Sequence, residues 1–377
     1  MPVAIGARTL MDNAIPTGVD GTVLFERGME DGVSTMEILE FGAALIGRIN
    51  TELEAEYGGL IYFTSRDFSR YRQGESGRAP TPLESEFSDE DGKRAQKVGH
   101  MLPRNDFHDV LAYTKLYLKR SNREDVRDDF MVITDSWRDR VALDVLTRLL
   151  TNTEILIGNS GYSPGWAIGS GANVNFIPPK NGNITFDSTH TQYLRINGAM
   201  NAANAAAALN GAARLLSRLR HVGRKVALVS EADVSVYTSM DSKSFVRFIP
   251  GQFQQQAGAT DLTIVRGELE GIPGEIFGYW ISSYGVIELR YHDRVPTGYL
   301  YIGKSYGTNS ERNPLAARID AQGFGLMIDP EIRWGTQPRL AKIDFDATHG
   351  VGVNDRTNGV VYQIETGGTT FENPEIA

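Results

Sequence analysis

The spacing of apolar residues changes along this chain, and each change predicts a change of element. From Ser34 to Tyr57, Ile38, Phe41, Leu45, Ile46 and Ile49 fall on one face of a helix. Ser34 stands three residues before Glu37, the spacing of a capping box. In RDDFMVITDSWRDRVALDVLTRLLTNTEILIG the residues Ile133, Trp137, Val141, Val145 and Leu149 recur every four positions, which predicts a long amphipathic helix from about Asp128 to Ile157. An alanine-rich helix is predicted over Asn201–His221, with Gly223 placed to stop it. Its small side chains allow close approach to a neighbour. KVALVSEADVSVY then reads as a buried strand leading into a turn. From Gly258 onward the chain reads as strands: TIVRGEL, GVIELRYHD, GYLYIGK, GFGLMI, RLAKIDFDATHGVGV and GVVYQIE, separated by Gly, Pro and Asn.

Two stretches lack an apolar period. Residues 1–33 carry Pro2, Pro16 and repeated glycines around short apolar runs and read as an extended arm. Residues 66–104 are polar, with the prolines of APTP, an acidic run at Glu84, Glu86, Asp89, Glu90 and Asp91, and then Lys93, Arg94 and Lys97. That composition fits a solvated linker. Because the apolar run DVLAYTKLYLK comes directly after it, it fits a long hairpin projecting from the body equally well. No repeat of solenoid or propeller period occurs.

Composition narrows the chemistry. The 377 residues can build a large core and two or three compact regions. The absence of cysteine excludes disulfides, thiolate metal sites and a cysteine nucleophile. No apolar run reaches bilayer-spanning length and no basic-then-apolar leader opens the chain, so a soluble protein made in a cytoplasm is expected. A net charge of −9 argues against gripping a phosphate backbone through a basic stripe, while leaving room for a place beside nucleic acid.

Motifs that carry chemistry fail on their context. GYLYIGKS, Gly298–Ser305, spells a phosphate-binding loop, but that loop needs small residues between its glycines and a helix behind them. Tyr299, Leu300, Tyr301 and Ile302 favour a strand instead, and the turn formers after Lys304 predict a loop. GYSPG, Gly161–Gly165, matches a nucleophile elbow, yet Pro164 has no N–H to serve as oxyanion donor. His100, His108, His190, His221, His292 and His349 never stand at metal-ligand spacing, and surface or capping roles are expected for all six. His221, at a helix C-terminus, would favour the dipole as a cation. GSGAN, Gly169–Asn173, lacks the third glycine of a dinucleotide fingerprint. The acidic run has no apolar surround to shift a pKa, so it reads as charge facing solvent or a partner. No catalytic, cofactor-binding or metal-binding residue is assigned. Glu84, Glu86, Asp89, Glu90, Asp91, Lys93, Arg94 and Lys97 are the candidates for contacts between subunits.

An extended arm, a long polar hairpin, a long helix and a large mixed domain, in that order, resemble the major capsid protein of tailed double-stranded DNA phages, the HK97-like fold that encapsulin shells also use. The ending is the most similar part: GYLYIGKSY, NPLAARIDAQGFGLMI and DFDATHGVGVNDRTNGVVYQI. The resemblance implies an α+β fold with an N-terminal arm and helix over 1–65, an extended E-loop over 66–112, and a P-domain with its spine helix over 113–164. An A-domain over 165–306 and return strands over 307–377 complete it. It implies a structural subunit, not an enzyme, that forms hexamers and pentamers of an icosahedral head in the virion, assembled in the host cytoplasm. Implied partners are the portal, a scaffolding protein, a possible decoration protein and packaged double-stranded DNA without sequence-specific contacts; no membrane and no cofactor are implied. A chain numbered from Met1 fits a separate scaffold better than a fused one. Some family members join an E-loop lysine to a neighbour's asparagine. Lys93 and Lys97 with Asn354 and Asn358 are the pairs available here, though nothing marks a catalytic glutamate. An encapsulin-like compartment is the nearer alternative and a soluble enzyme using GYLYIGKS on a phosphate substrate the farther one; the long E-loop and separate arm lean toward phage.

Overall fold

The computed structural model describes residues 35–73, 96–157, 161–168, 190–241, 243–248, 269–320, 323–328 and 340–376. Along the chain, α1 (Thr35–Tyr57) leads to β1 (Ile61–Thr64) and to the strands β2 (Phe68–Gln73) and β3 (Gln96–Met101). Next come β4 (Asn105–Thr114), α2 (Lys115–Arg120), α3 (Arg123–Leu150), β5 (Ile155–Ile157), β6 (Gly161–Ser163) and β7 (Tyr193–Asn197). After them stand α4 (Ala202–Arg218), β8 (Lys225–Ser230), α5 (Val234–Thr238), β9 (Phe245–Arg247), β10 (Glu275–Ser282) and β11 (Gly285–His292). The series closes with β12 (Tyr299–Gly303), β13 (Leu315–Ile319), β14 (Leu326–Ile328), β15 (Leu340–Val353) and β16 (Gly359–Glu365). These residues form two compact units, each drawn from three stretches of chain.

The first unit takes described residues from 35–55, Arg104–Ala142 and Ile319–Gly350. In it β15 pairs antiparallel with β4, from Leu340 opposite Thr114 to His349 opposite Asn105, and with β14. The buried Phe130 of α3 meets Phe345 edge-on at 5.7 Å. Its ring also fills the space over Gly42 of α1, where an added Cβ would lie 2.4 Å away, so the two helices touch because position 42 has no side chain. Asn50 fastens α1 to β14 through both ends of its carboxamide, 2.8 Å to Leu326 O and 3.0 Å from Leu326 N. The short run KLYLK, read from sequence as part of a strand, is helical instead. Thr114 ends β4 and caps that helix, its hydroxyl accepting from Tyr117 N at 3.1 Å.

The every-fourth-residue stripe of α3 is buried throughout, from Ile133 to Leu149, and continues back through Phe130 and Val126. The helix itself is displaced from the expected 128–157: it starts at Arg123 and stops at Leu150. The stop has a cause in the second unit. Arg148 donates to Thr153 O at 2.8 Å and to Ser163 O at 3.0 Å, which folds the chain back and lets 155–157 pair with 161–163 as strands.

The second unit, from Glu56–Pro103, Leu143–Arg318 and Val351–Ala377, is built on a seven-stranded sheet in the order β7-β16-β12-β8-β11-β10-β9. Alternate residues of its inner strands, Ala227, Val229, Ile287, Leu289, Leu300, Ile302, Val360 and Tyr362, pack against α4. The alanines of α4 permit the approach. At Gly211 even a Cβ would come within 2.4 Å of the Tyr362 hydroxyl. On the alternate residues Trp166 stacks on Tyr301 at 5.5 Å and covers Gly359. In the same unit β1 runs parallel to β13, and β2 pairs antiparallel with β3, Phe68 opposite Met101 and Gln73 opposite Gln96. The hairpin alternative for the polar stretch is therefore the one its stem adopts.

The alanine-rich helix ends differently from expectation. Gly223 has a positive φ, but the residue that closes α4 is Arg220, at φ 66°. His221 N bonds Leu216 O at 2.9 Å and Arg220 N bonds Ser217 O at 3.0 Å, the two bonds of a Schellman motif. A residue with a Cβ is costly in the left-handed region, and Arg220 is exposed. Arg220→Gly is expected to stabilise the isolated chain by about 0.5–1 kcal/mol, seen as a higher urea midpoint; an unchanged or lower midpoint would show that the arginine side chain compensates.

Candidate functional site

GYLYIGKS is a strand, as its aromatic and β-branched residues predict. β12 lies in the middle of the sheet between β16 and β8, and beyond Gly303 the chain enters a loop, not a helix. Lys304 N donates to Asn358 Oδ1 at 2.9 Å, and Lys304 Nζ donates to Val222 O. With its backbone committed to the sheet and to Asn358, the stretch forms no phosphate cradle. The next residues make an ordered polar cluster. Lys304 Nζ and Arg312 Cζ lie 4.5 and 4.1 Å from the centre of the Tyr306 ring. The Tyr306 hydroxyl is 2.8 Å from His221 Nδ1, His221 Nε2 is 2.9 Å from Thr357 Oγ1, and the Thr357 hydroxyl donates to Asp355 Oδ1 at 2.6 Å. The carboxylate at the end sets the direction: Thr357 accepts from Nε2–H, and Nδ1 accepts from tyrosine.

His221 is consequently a buried, neutral hub and not the helix-capping cation expected. Burial lowers its pKa against the pull of Asp355, and Lys304, Arg312 and Lys225 lower it further. Two more histidines depart from surface roles. His100 is buried with Nε2 on Val353 O, and His349 is buried, stacked on Phe107 at 4.9 Å and edge-on to Trp137 at 5.1 Å. His108 is exposed and lies 2.7 Å from Asp346. Among the described residues no group of three His, Cys, Asp or Glu could hold a metal ion. Ser163 of GYSPG is fully buried at the end of a strand, the wrong setting for a nucleophile.

Three asparagines hold the loops beside β12. Asn313, fully buried, accepts from Tyr306 N at 3.0 Å and donates to Gly58, Ile61 and Gly307 carbonyls at 3.1, 3.3 and 2.9 Å. Asn354 Nδ2 donates to Glu311 O and Asn313 O, both at 2.9 Å. Asn358, also fully buried, donates to Lys304 O at 2.8 Å. The two asparagines considered for a crosslink are thus occupied in holding backbone. Of the contact candidates, Glu84, Glu86, Asp89, Glu90, Asp91, Lys93 and Arg94 lie outside the described residues. Lys97 stands on β3 opposite Arg72. The polar hub at His221 was not singled out in sequence; only its place after a helix and before a strand is visible there.

No protein-family model matches the chain, and no curated protein matches it. Solved structures do. A chain of Mycobacterium phage Patience is 18% identical, covers 91% of this chain and 91% of its own, and has a TM-score of 0.59. The capsid of cyanophage P-SCSP1u is 9% identical over 82% of this chain and 87% of its own, with a TM-score of 0.46. The holo-SrpI encapsulin complex of Synechococcus elongatus is 10% identical over 81% and 85%, with a TM-score of 0.41. The likeness to the Patience chain spans nearly all of both chains and shows the fold. It is the HK97-like α+β fold that the sequence resembles.

Proposed function

We propose that this chain is a major capsid protein, a structural subunit that self-assembles as hexamers and pentamers into the icosahedral head of a tailed double-stranded DNA phage. The observation that carries this is the likeness to a mycobacteriophage chain over 91% of each. In this reading β2 and β3 are the stem of the E-loop, α3 is the spine helix, and the seven-stranded sheet with α4 is the A-domain core. A shell with five-fold and quasi-six-fold positions asks one subunit for several different contacts. Arms and hairpins change angle while packed units stay rigid. Portal, scaffolding protein, a decoration protein and packaged DNA are the further partners, and the virion is the place. Negative-stain electron microscopy and size-exclusion chromatography, on protein made alone and with a cognate scaffolding protein, test it. Closed shells, tubes or rings of six and five are expected. A monomer in both preparations overturns the reading, and shells filled with one cargo protein would assign an encapsulin-like compartment.

The charged stretch 84–97 is proposed to lie over a neighbouring subunit and pair charges there, since acids and bases are segregated within it. Lys93→Glu, Arg94→Glu and Lys97→Glu together are expected to block particle formation and leave folded subunits. Particles of normal yield from that variant would refute the pairing.

A further inference from the structure

Between Asp187 and Glu231 the chain has no acidic residue, yet it carries Arg195, Arg214, Arg218, Arg220, Arg224 and Lys225. In a chain of net charge −9 that segregation gathers positive charge on one stretch. The fold adds two more cations to it. Lys304 Nζ donates to Val222 O just beyond α4, and Lys304 and Arg312 share the Tyr306 ring. Lys225 Nζ donates to Gly223 O at 3.1 Å and Tyr284 O at 2.9 Å, which brings the turn between β10 and β11 to the same edge of the sheet.

The carboxylates at this edge are already engaged. Glu288 pairs with Arg224 and with Arg290, and Asp355 accepts from Thr357. Among the described residues Lys304 and Arg312 are met by a backbone carbonyl and an aromatic ring, not by a carboxylate. Burial and neighbouring charge both act on the two lysines here. Burial, with Lys304 adding, pushes the Lys225 ammonium down to about 8, and burial with Arg312 lowers Lys304. Beside them Val222 is 63% exposed and Tyr284 42% exposed. Exposed apolar and tyrosine side chains among arginines have the composition of a protein contact, whereas affinity for a duplex phosphate backbone rests on clustered cations.

We propose that the edge formed by Arg220, Val222, Tyr284, Lys304 and Arg312 is a contact between copies of this chain that receives a carboxylate-bearing surface of a second copy. It rests on the self-assembly reading above. The complementary charge comes from the chain itself, whose acids all lie outside 188–230. The ion pairs would set register and speed encounter, while Val222 and Tyr284 exclude water from them.

The test compares wild type with Arg220→Glu/Arg312→Glu, two exposed positions, and with Val222→Ser/Tyr284→Ser, which leaves the charges alone. Light scattering gives the critical concentration for assembly across a series of NaCl concentrations, and circular dichroism checks the fold of the dispersed subunits. The charge variant is expected to raise that concentration about tenfold and to flatten its salt dependence. The apolar variant should raise it with the salt dependence kept. If wild type assembles and both variants match it at every salt concentration, the contact is refuted and the shell reading stands. If wild type assembles neither alone nor with a cognate scaffolding protein, the shell reading falls and takes the contact with it. Binding of a double-stranded DNA fragment that the charge variant loses, with assembly unchanged, would assign the edge to phosphate and overturn the proposal.

Discussion

Asn313→Ala is expected to cost about 3–5 kcal/mol of stability, because several buried backbone groups lose their partner together. One carboxamide answers the Tyr306 amide and the carbonyls of Gly58, Ile61 and Gly307. The side chain is fully buried, so water cannot replace it without opening the loops. Asn313→Asp is the informative companion. It keeps the acceptor for Tyr306 N but sets a carboxylate against three carbonyls, so it should be at least as damaging as alanine. Urea midpoints of the isolated chain measure both. An aspartate variant close to wild type would mean that the donor half contributes nothing.

Acid should weaken the fold through His100. Its ring is 3% exposed, and Nε2 holds the carbonyl of Val353. Burial lowers its pKa to about 4, the Val353 bond opposes, and Arg356 and Arg148 reinforce the lowering. The unfolded chain takes a proton near the ordinary histidine value of 6.5 and the folded chain does not until about 4. The stabilisation is therefore complete above pH 6.5 and is lost as pH falls toward 4, by about 3 kcal/mol in total. His221, also lowered, acts in the same direction. His100→Gln keeps a donor and removes the titration, so its stability should fall less steeply between those pH values. Parallel pH profiles for variant and wild type would remove His100 as the cause.

Order and type of the long elements were legible because each rests on local pattern. The buried stripe of α3 tracks its four-residue recurrence, and β12 is set by Tyr299, Tyr301 and Ile302. Features that need tertiary contacts were not legible. The end of α3 depends on Arg148 reaching Ser163, and the end of α4 falls on Arg220, where Gly223 was the better local candidate. β10 and β13 were not marked as strands, since glycine interrupts EIFGYWIS and LAARI is too short to show a period. Histidine burial is likewise invisible locally: His100, His221 and His349 look like any polar residue until packed. The site candidates were chosen by charge segregation alone. The polar cluster at Lys304, Tyr306, Arg312 and His221 draws its members from separate segments, and no spacing in the sequence announces it.

The position of β16 has a consequence for the timing of synthesis. It is the last described strand to be made, yet it lies inside the sheet, and β7 pairs with no other described strand. Domains fold as their residues emerge from the ribosome. Here β7 must wait, edge open, from its own synthesis at 193–197 until 359–365 arrives. A nascent chain on a crowded polysome therefore lacks a finished sheet, and a prematurely terminated one never acquires it. A product that stops short of 359 leaves β7 without its partner strand, whatever else of the sheet has formed.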